Sequence, residues 1–227
     1  MKTIKTELKS FKKSELSALI AVLVFIAVNA IVFKDSKIAV LSSVCGIMYT
    51  VLAGKGKFYC YLFGLCGSGA YSFLSWQSML YGNLVLYMFY YIPMQVWGLF
   101  QWKNNLKKDT TDIIKTTLTK KQRITLIILT TIATAVTTIV LHYLKDSNPL
   151  IDATTTVLSV VGMYLTVKRC FEQWIVWMIV NFLSLLMWLN VAIHGTKVYA
   201  TVIMWAVYLF LAVYFYFEWK KELKTRV

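Results

Sequence analysis

The stretch EQWIVWMIVNFLSLLMW, residues 172–188, decides how this chain folds. Its length and apolar content suit a helix inside a bilayer, which needs about 20 such residues. Lipid requires only apolar side chains, yet Trp174, Trp177, Asn181, Ser184 and Trp188 recur at spacings of three and four. That spacing puts them on one helix face, with Ile175, Val176, Ile179, Val180, Leu183 and Leu186 on the others. Tryptophan often sits at membrane interfaces, which covers Trp174 or Trp188 at the ends but not Trp177 and Asn181. An amide in hydrocarbon needs a hydrogen-bond partner, supplied by another helix or by a ligand. The stretch predicts a membrane bundle with a polar interior.

The rest of the chain agrees. Of 227 residues, 59% are hydrophobic, above the roughly 45–50% of soluble domains. Eight spans are expected, at about residues 15–33, 37–53, 58–75, 83–102, 123–144, 151–167, 173–191 and 197–219. Short polar breaks separate several of them, such as KDSK (34–37), GKGK (54–57), KDSNP (145–149) and HGTK (194–197). The basic start is too long for a cleavable signal, and no small-residue cleavage site follows the apolar run.

A net charge of +14 could point to nucleic acid, but its distribution points to a membrane. If loops alternate sides, 20 of the 24 basic residues fall on one side, and only Lys34, Lys37, Lys145 and Lys197 fall opposite. Such a bias places both termini in the cytoplasm.

An internal repeat is expected from two matches. SVCGIMYTV (43–51) resembles SVVGMYLTV (159–167), and FQWK (100–103) resembles FEWK (217–220). Each pair of matches brackets three spans, and an odd number per unit requires one linking helix to keep both units in the same orientation. Parallel repeats of this kind are a transporter architecture, with the site at the repeat interface near mid-membrane. The expected fold is therefore all-α: two parallel three-helix repeats (37–103 and 148–227), a loop with a linking helix (104–147), and a basic N-terminus with an extra helix (1–36). Gly46, Gly162 and Pro93 serve either as flexure points or, for the glycines, as places of close helix contact.

The fourth span carries a stripe like the opening one: Asn83, Tyr87, Tyr91, Gln95, Gly98 and Trp102, interrupted by Pro93. The last span offers Thr201, Trp205, Tyr208 and Trp219. Helix packing with hydrogen-bond glue could explain such faces, but three in one small bundle favour a cavity. The spans hold no charged residue at depth, whereas ion-coupled carriers usually do. A phosphorylated ligand would want buried Arg or Lys, while tryptophan faces suit a neutral or delocalised cationic ring.

Enzymatic chemistry has little support. His142 and His194 sit at span ends or in loops, and no HExxH, GxSxG or acidic pair occurs. Cys45, Cys60, Cys66 and Cys170 lack metal-ligand spacing and read as buried apolar fillers. No cofactor, metal or nucleic acid is expected.

YYIPMQVWGLFQWK (90–103) together with EQWIVWMIVN (172–181) resembles the Pnu-type vitamin transporters, best known for nicotinamide riboside. The similarity runs from about Lys37 onward. It implies the three-plus-one-plus-three fold of the sugar transporters (SWEET), homotrimers in a bacterial inner membrane, and uncoupled facilitated diffusion. It also implies a cytoplasmic kinase that traps the vitamin by phosphorylation. By position, Trp174, Trp177 and Asn181 would line the vitamin site with Gln95 opposite, and Tyr87, Tyr91, Ser184, Asn83, Trp205 and Tyr208 complete the expected lining. Thiamine and riboflavin remain alternative cargoes, and a non-transporting membrane interaction protein is the reading from another class. Glu172 is either a loop charge or a partner to a cationic ligand.

Overall fold

The structure, a computed structural model, describes residues 13–33, 36–77, 81–108, 110–146, 148–194 and 199–225. The basic segment before Lys13, Lys34 and Lys197 lie outside the described residues, as does the side chain of Asn83. The described chain is helical: α1 (Lys13–Phe33), α2 (Lys37–Gly54), α3 (Cys60–Gln77), α4 (Tyr81–Leu86), α5 (Ile92–Lys103), α6 (Lys120–Tyr143), α7 (Pro149–Val167), α8 (Gln173–Ile193) and α9 (Tyr199–Lys224). A π-helical turn, Tyr87–Tyr91, joins α4 to α5 into one rod, so each of the eight predicted stretches holds a helix among its described residues. Among the described residues, five helical stretches are long and apolar enough to cross a membrane: Lys37–Gly54, Lys120–Tyr143, Pro149–Val167, Gln173–Asn190 and Thr201–Lys224. In α3, glycine and serine dilute the apolar content, and the same small residues let it lie close against α2.

Local chemistry sets the boundaries. Ser36 caps α2 by accepting from the Ala39 amide, and Thr119 and Gln122 form a reciprocal capping box on α6. Pro93 cannot donate the backbone bond that an α-helix needs at its position, and its ring crowds the carbonyl four residues earlier. The wider π turn directly before it, in which Ile92 N–H reaches Tyr87 O, absorbs that conflict.

The ends of α2 and α7 are built alike. Gly56 (φ 73°) and Arg169 (φ 60°) adopt the left-handed conformation that stops each helix. Lys57 N–H then bonds to Leu52 O, and Cys170 N–H to Leu165 O, each at 2.9 Å. The next helix starts three residues later in both cases. This turn geometry pairs Gly54 with Val167, whereas the sequence match pairs Val51 with Val167. The one-turn difference is hard to read from sequence, because apolar helix residues match well at several registers.

Helix α2 packs on α3, and α8 on both α7 and α9, while α5 bridges α3 and α7 and α9 reaches α2. Helix α6 leans on α7 and buries none of its residues. Segment 104–119 crosses one end of the bundle as a strap. Ile113 N–H donates to Gly56 O at 2.9 Å, Thr116 N–H to Arg169 O at 2.9 Å, and Phe171 N–H to Thr116 O at 2.8 Å. Lys57 pairs with Asp112 at 2.7 Å, and Lys107 with Glu222 at 2.7 Å. The 55–59 and 168–172 turns, the strap and the end of α9 therefore share one side, as the alternation of spans requires. Three of the four cysteines, Cys45, Cys60 and Cys170, are buried fillers; Cys66 instead faces outward from α3.

Candidate functional site

Helix α8 presents the opening stripe inward. Trp174, Asn181 and Ser184 are buried and Trp177 and Trp188 half-buried, while Ile175, Ile179, Phe182, Leu186 and Leu189 are exposed on the outer faces. Trp177 lies flat against Gly162 of α7: a Cβ there would meet its ring at 3.0 Å. Its indole N–H donates to Thr166 Oγ1 at 3.2 Å. Asn181 follows one turn on, and its amide makes no hydrogen bond among the described residues. Trp174 sits nearer the strap end, packed against Phe215 (5.3 Å) and edge-on to Trp219 (5.6 Å) of α9.

The α4–α5 rod presents the second stripe. Tyr87 stacks between Tyr71 of α3 at 4.4 Å and Tyr91 at 4.8 Å. Gln95 is buried, and its Nε2 donates to Ser68 Oγ of α3 at 2.9 Å. Gly98 meets the Tyr61 ring, and Trp102 packs edge-on to the same ring at 5.1 Å. On α9, Trp205 and Tyr208 lie 6.1 Å apart, and the Tyr208 hydroxyl would be 2.9 Å from a Cβ on Gly46 of α2. Gly46 and Gly162 are thus places of close contact, each filled by a ring from another helix.

Long-range contacts tie the π turn and α2 to α7. Tyr90 Oη donates to Val160 O at 2.5 Å, and Tyr49 Oη contacts Met163 Sδ at 3.6 Å. Several buried polar atoms on the inward stripes have no protein partner among the described residues: Gln95 Oε1, Trp174 Nε1 and Trp205 Nε1. Buried polar atoms are nearly always satisfied, so an orphan calls for an explanation. These three orphans fall on residues already singled out by spacing.

Sequence reasoning missed Ser68, Gly64, Tyr49 and Tyr71. Gly64 and Ser68 are one turn apart in LFGLCGSGAYS (62–72), so small residues at helical spacing were the available signal. Glu172 proves to be a strap anchor: it accepts from the Leu118 amide at 3.1 Å and from Arg123 at 2.7 Å. Beside it, burial pushes the Cys170 thiol up from its ordinary range.

Comparison with known proteins shows the family. Residues 36–221 match the model of the nicotinamide mononucleotide transporter family. The nicotinamide riboside transporter PnuC of Neisseria mucosa is 32% identical over 210 residues, covering 89% of this chain and 80% of that protein. The PnuC of Haemophilus influenzae is 32% identical over 192 residues, covering 84% of this chain and 82% of its own. A crystal structure of the vitamin B3 transporter PnuC superposes with a TM-score of 0.80 at 30% identity, over 96% of this chain and 94% of that one. These relatives are named as transporters, not enzymes. The chain therefore belongs to the nicotinamide mononucleotide transporter family, the integral membrane PnuC transporters.

Proposed function

We propose that this protein carries nicotinamide riboside across a bacterial inner membrane by uncoupled facilitated diffusion, with both termini in the cytoplasm. The supporting observation is the set of orphaned polar atoms on the inward faces of α5, α8 and α9. Trp177, with Trp174 at the strap end, stacks on the pyridinium ring, where a cation over an indole gains about 0.5–2 kcal/mol. Asn181 and Gln95 read the carboxamide and ribose hydroxyls, and Tyr87, Tyr91, Ser184, Asn83, Trp205 and Tyr208 complete the enclosure. Uncharged spans favour the riboside over its phosphorylated form, which would need a basic partner.

Residues 37–103 and 148–227 act as two parallel repeats in the sugar-transporter (SWEET) arrangement, with 104–147 as strap and linking helix. The like-built turns after α2 and α7 support this division. The repeats rock about the site to give alternating access. A cytoplasmic kinase then traps the vitamin, and the transporter assembles as a homotrimer. Uptake of labelled nicotinamide riboside, thiamine and riboflavin into proteoliposomes tests the reading. Saturable riboside uptake that survives proton and sodium ionophores is expected; uptake that requires either gradient overturns the uncoupled mechanism.

A further inference from the structure

We propose that Ser68 is a positioning residue that sets which way the Gln95 amide faces, and thereby selects a substrate ring substituent bearing N–H donors. The inference deepens the proposed transport of nicotinamide riboside and rests on it. Ser68 and Gln95 are both buried, and Ser68 Oγ takes the Gln95 Nε2 donor at 2.9 Å. With its nitrogen engaged, the amide is left with Oε1 buried and unpartnered. Space for that oxygen exists because residue 64 is glycine: a Cβ there would lie 3.1 Å from both Gln95 Oε1 and Cδ. Ser68 also sits as far after Lys57 as Asn181 sits after Cys170, so the two like-built turns bring these polar residues to matching depths on α3 and α8.

An amide can offer either an acceptor or a donor to the same point, depending on its flip. Held by Ser68 through one Nε2 hydrogen, Gln95 keeps Oε1 as its unpartnered acceptor. A hydroxyl or a carboxamide can satisfy it by donating; a carboxylate cannot, and would face a lone pair across a dry contact. Sites built this way reject analogues that leave a buried polar atom unpaired. Ser68 thus accounts for discrimination against the acid analogue of the vitamin by a residue that need not touch it.

The test is competitive uptake in proteoliposomes with nicotinamide riboside and nicotinic acid riboside, comparing wild type with Ser68→Ala and Ser68→Thr. Wild type should prefer the carboxamide by at least roughly tenfold in apparent affinity. Ser68→Ala frees the amide to turn its nitrogen inward, so the preference should fall to within about threefold, through KM rather than maximal rate. Ser68→Thr keeps the hydroxyl and should restore the preference. The ratio is independent of how much protein folds. A wild-type ratio in Ser68→Ala overturns the positioning role alone, as does an equal loss in Ser68→Thr. Absence of riboside uptake by wild type overturns the transport reading, and this inference with it.

Discussion

Trp219 Nε1 donates to the carbonyl of Gly54 at 2.7 Å, tying the last helix to the end of α2, and Trp102 Nε1 makes the counterpart bond to Thr166 O of α7 at 2.9 Å. Each indole is fully buried and packs edge-on against an aromatic ring, Trp219 against Trp174 of α8 and Trp102 against Tyr61 of α3. The two bonds cross-brace the strap end of the bundle. Trp219→Phe keeps a ring but orphans a buried carbonyl, which costs about 1–3 kcal/mol. A fall of several degrees in the detergent unfolding midpoint is expected, with Trp102→Phe behaving alike.

Two glycines on the inner surface should separate stability from transport. A Cβ on Gly98 would sit 2.3 Å from the fully buried Tyr61 ring, which has nowhere to move. Gly98→Ala is expected to overpack and destabilise by about 1–3 kcal/mol. At Gly64 the nearest groups are Tyr49 at 2.9 Å and the Gln95 amide at 3.1 Å. Gly64→Ala should displace that amide and lower riboside uptake more than it lowers thermal stability, measured on the same preparation.

How much of this was legible beforehand follows from the type of residue. Large aromatics at helical spacing expose their pattern, so the inward faces of α8 and of the α4–α5 rod were read correctly from Trp174, Trp177, Asn181, Tyr87, Tyr91 and Gln95. The partners that fit against them are small: Gly64 and Ser68 leave only weak periodicity, whereas Gly162 stood out through its match with Gly46. The strap was unreadable because segment 104–119 is held by backbone bonds and scattered ion pairs rather than by an apolar stripe. The π turn could be anticipated only as an interruption at Pro93, since sequence does not tell a widened turn from a kink.

Glu172 holds the strap by accepting from Leu118 N–H through both carboxylate oxygens, at 3.1 and 3.2 Å, and from Arg123. Arg123 is half-exposed, so the backbone bond matters more than the ion pair. Glu172→Gln should loosen residues 112–118. Amide exchange there is expected to speed up several-fold, and trypsin should cut after the otherwise buried Lys115 sooner than in wild type.

Cys170 reports on the same closure. It is 5% exposed, and burial raises its thiol above the ordinary value, so little thiolate exists near neutral pH. In a Cys66→Ala background, alkylation of Cys170 should be slow at pH 7 and should climb only at a higher pH than for a free thiol. Glu172→Gln should accelerate it. Rapid labelling of the intact protein at pH 7 would mean the strap does not stay shut.

The central claim, that the inward face of α8 holds the vitamin, is tested most directly by labelled nicotinamide riboside uptake into proteoliposomes for Asn181→Ala. Trp76→Ala serves as control, since that ring is 59% exposed on α3. Asn181→Ala is predicted to lower uptake by at least about tenfold, the scale of one or more lost polar contacts in a dry site, while Trp76→Ala transports as wild type. Wild-type uptake by Asn181→Ala would contradict the account.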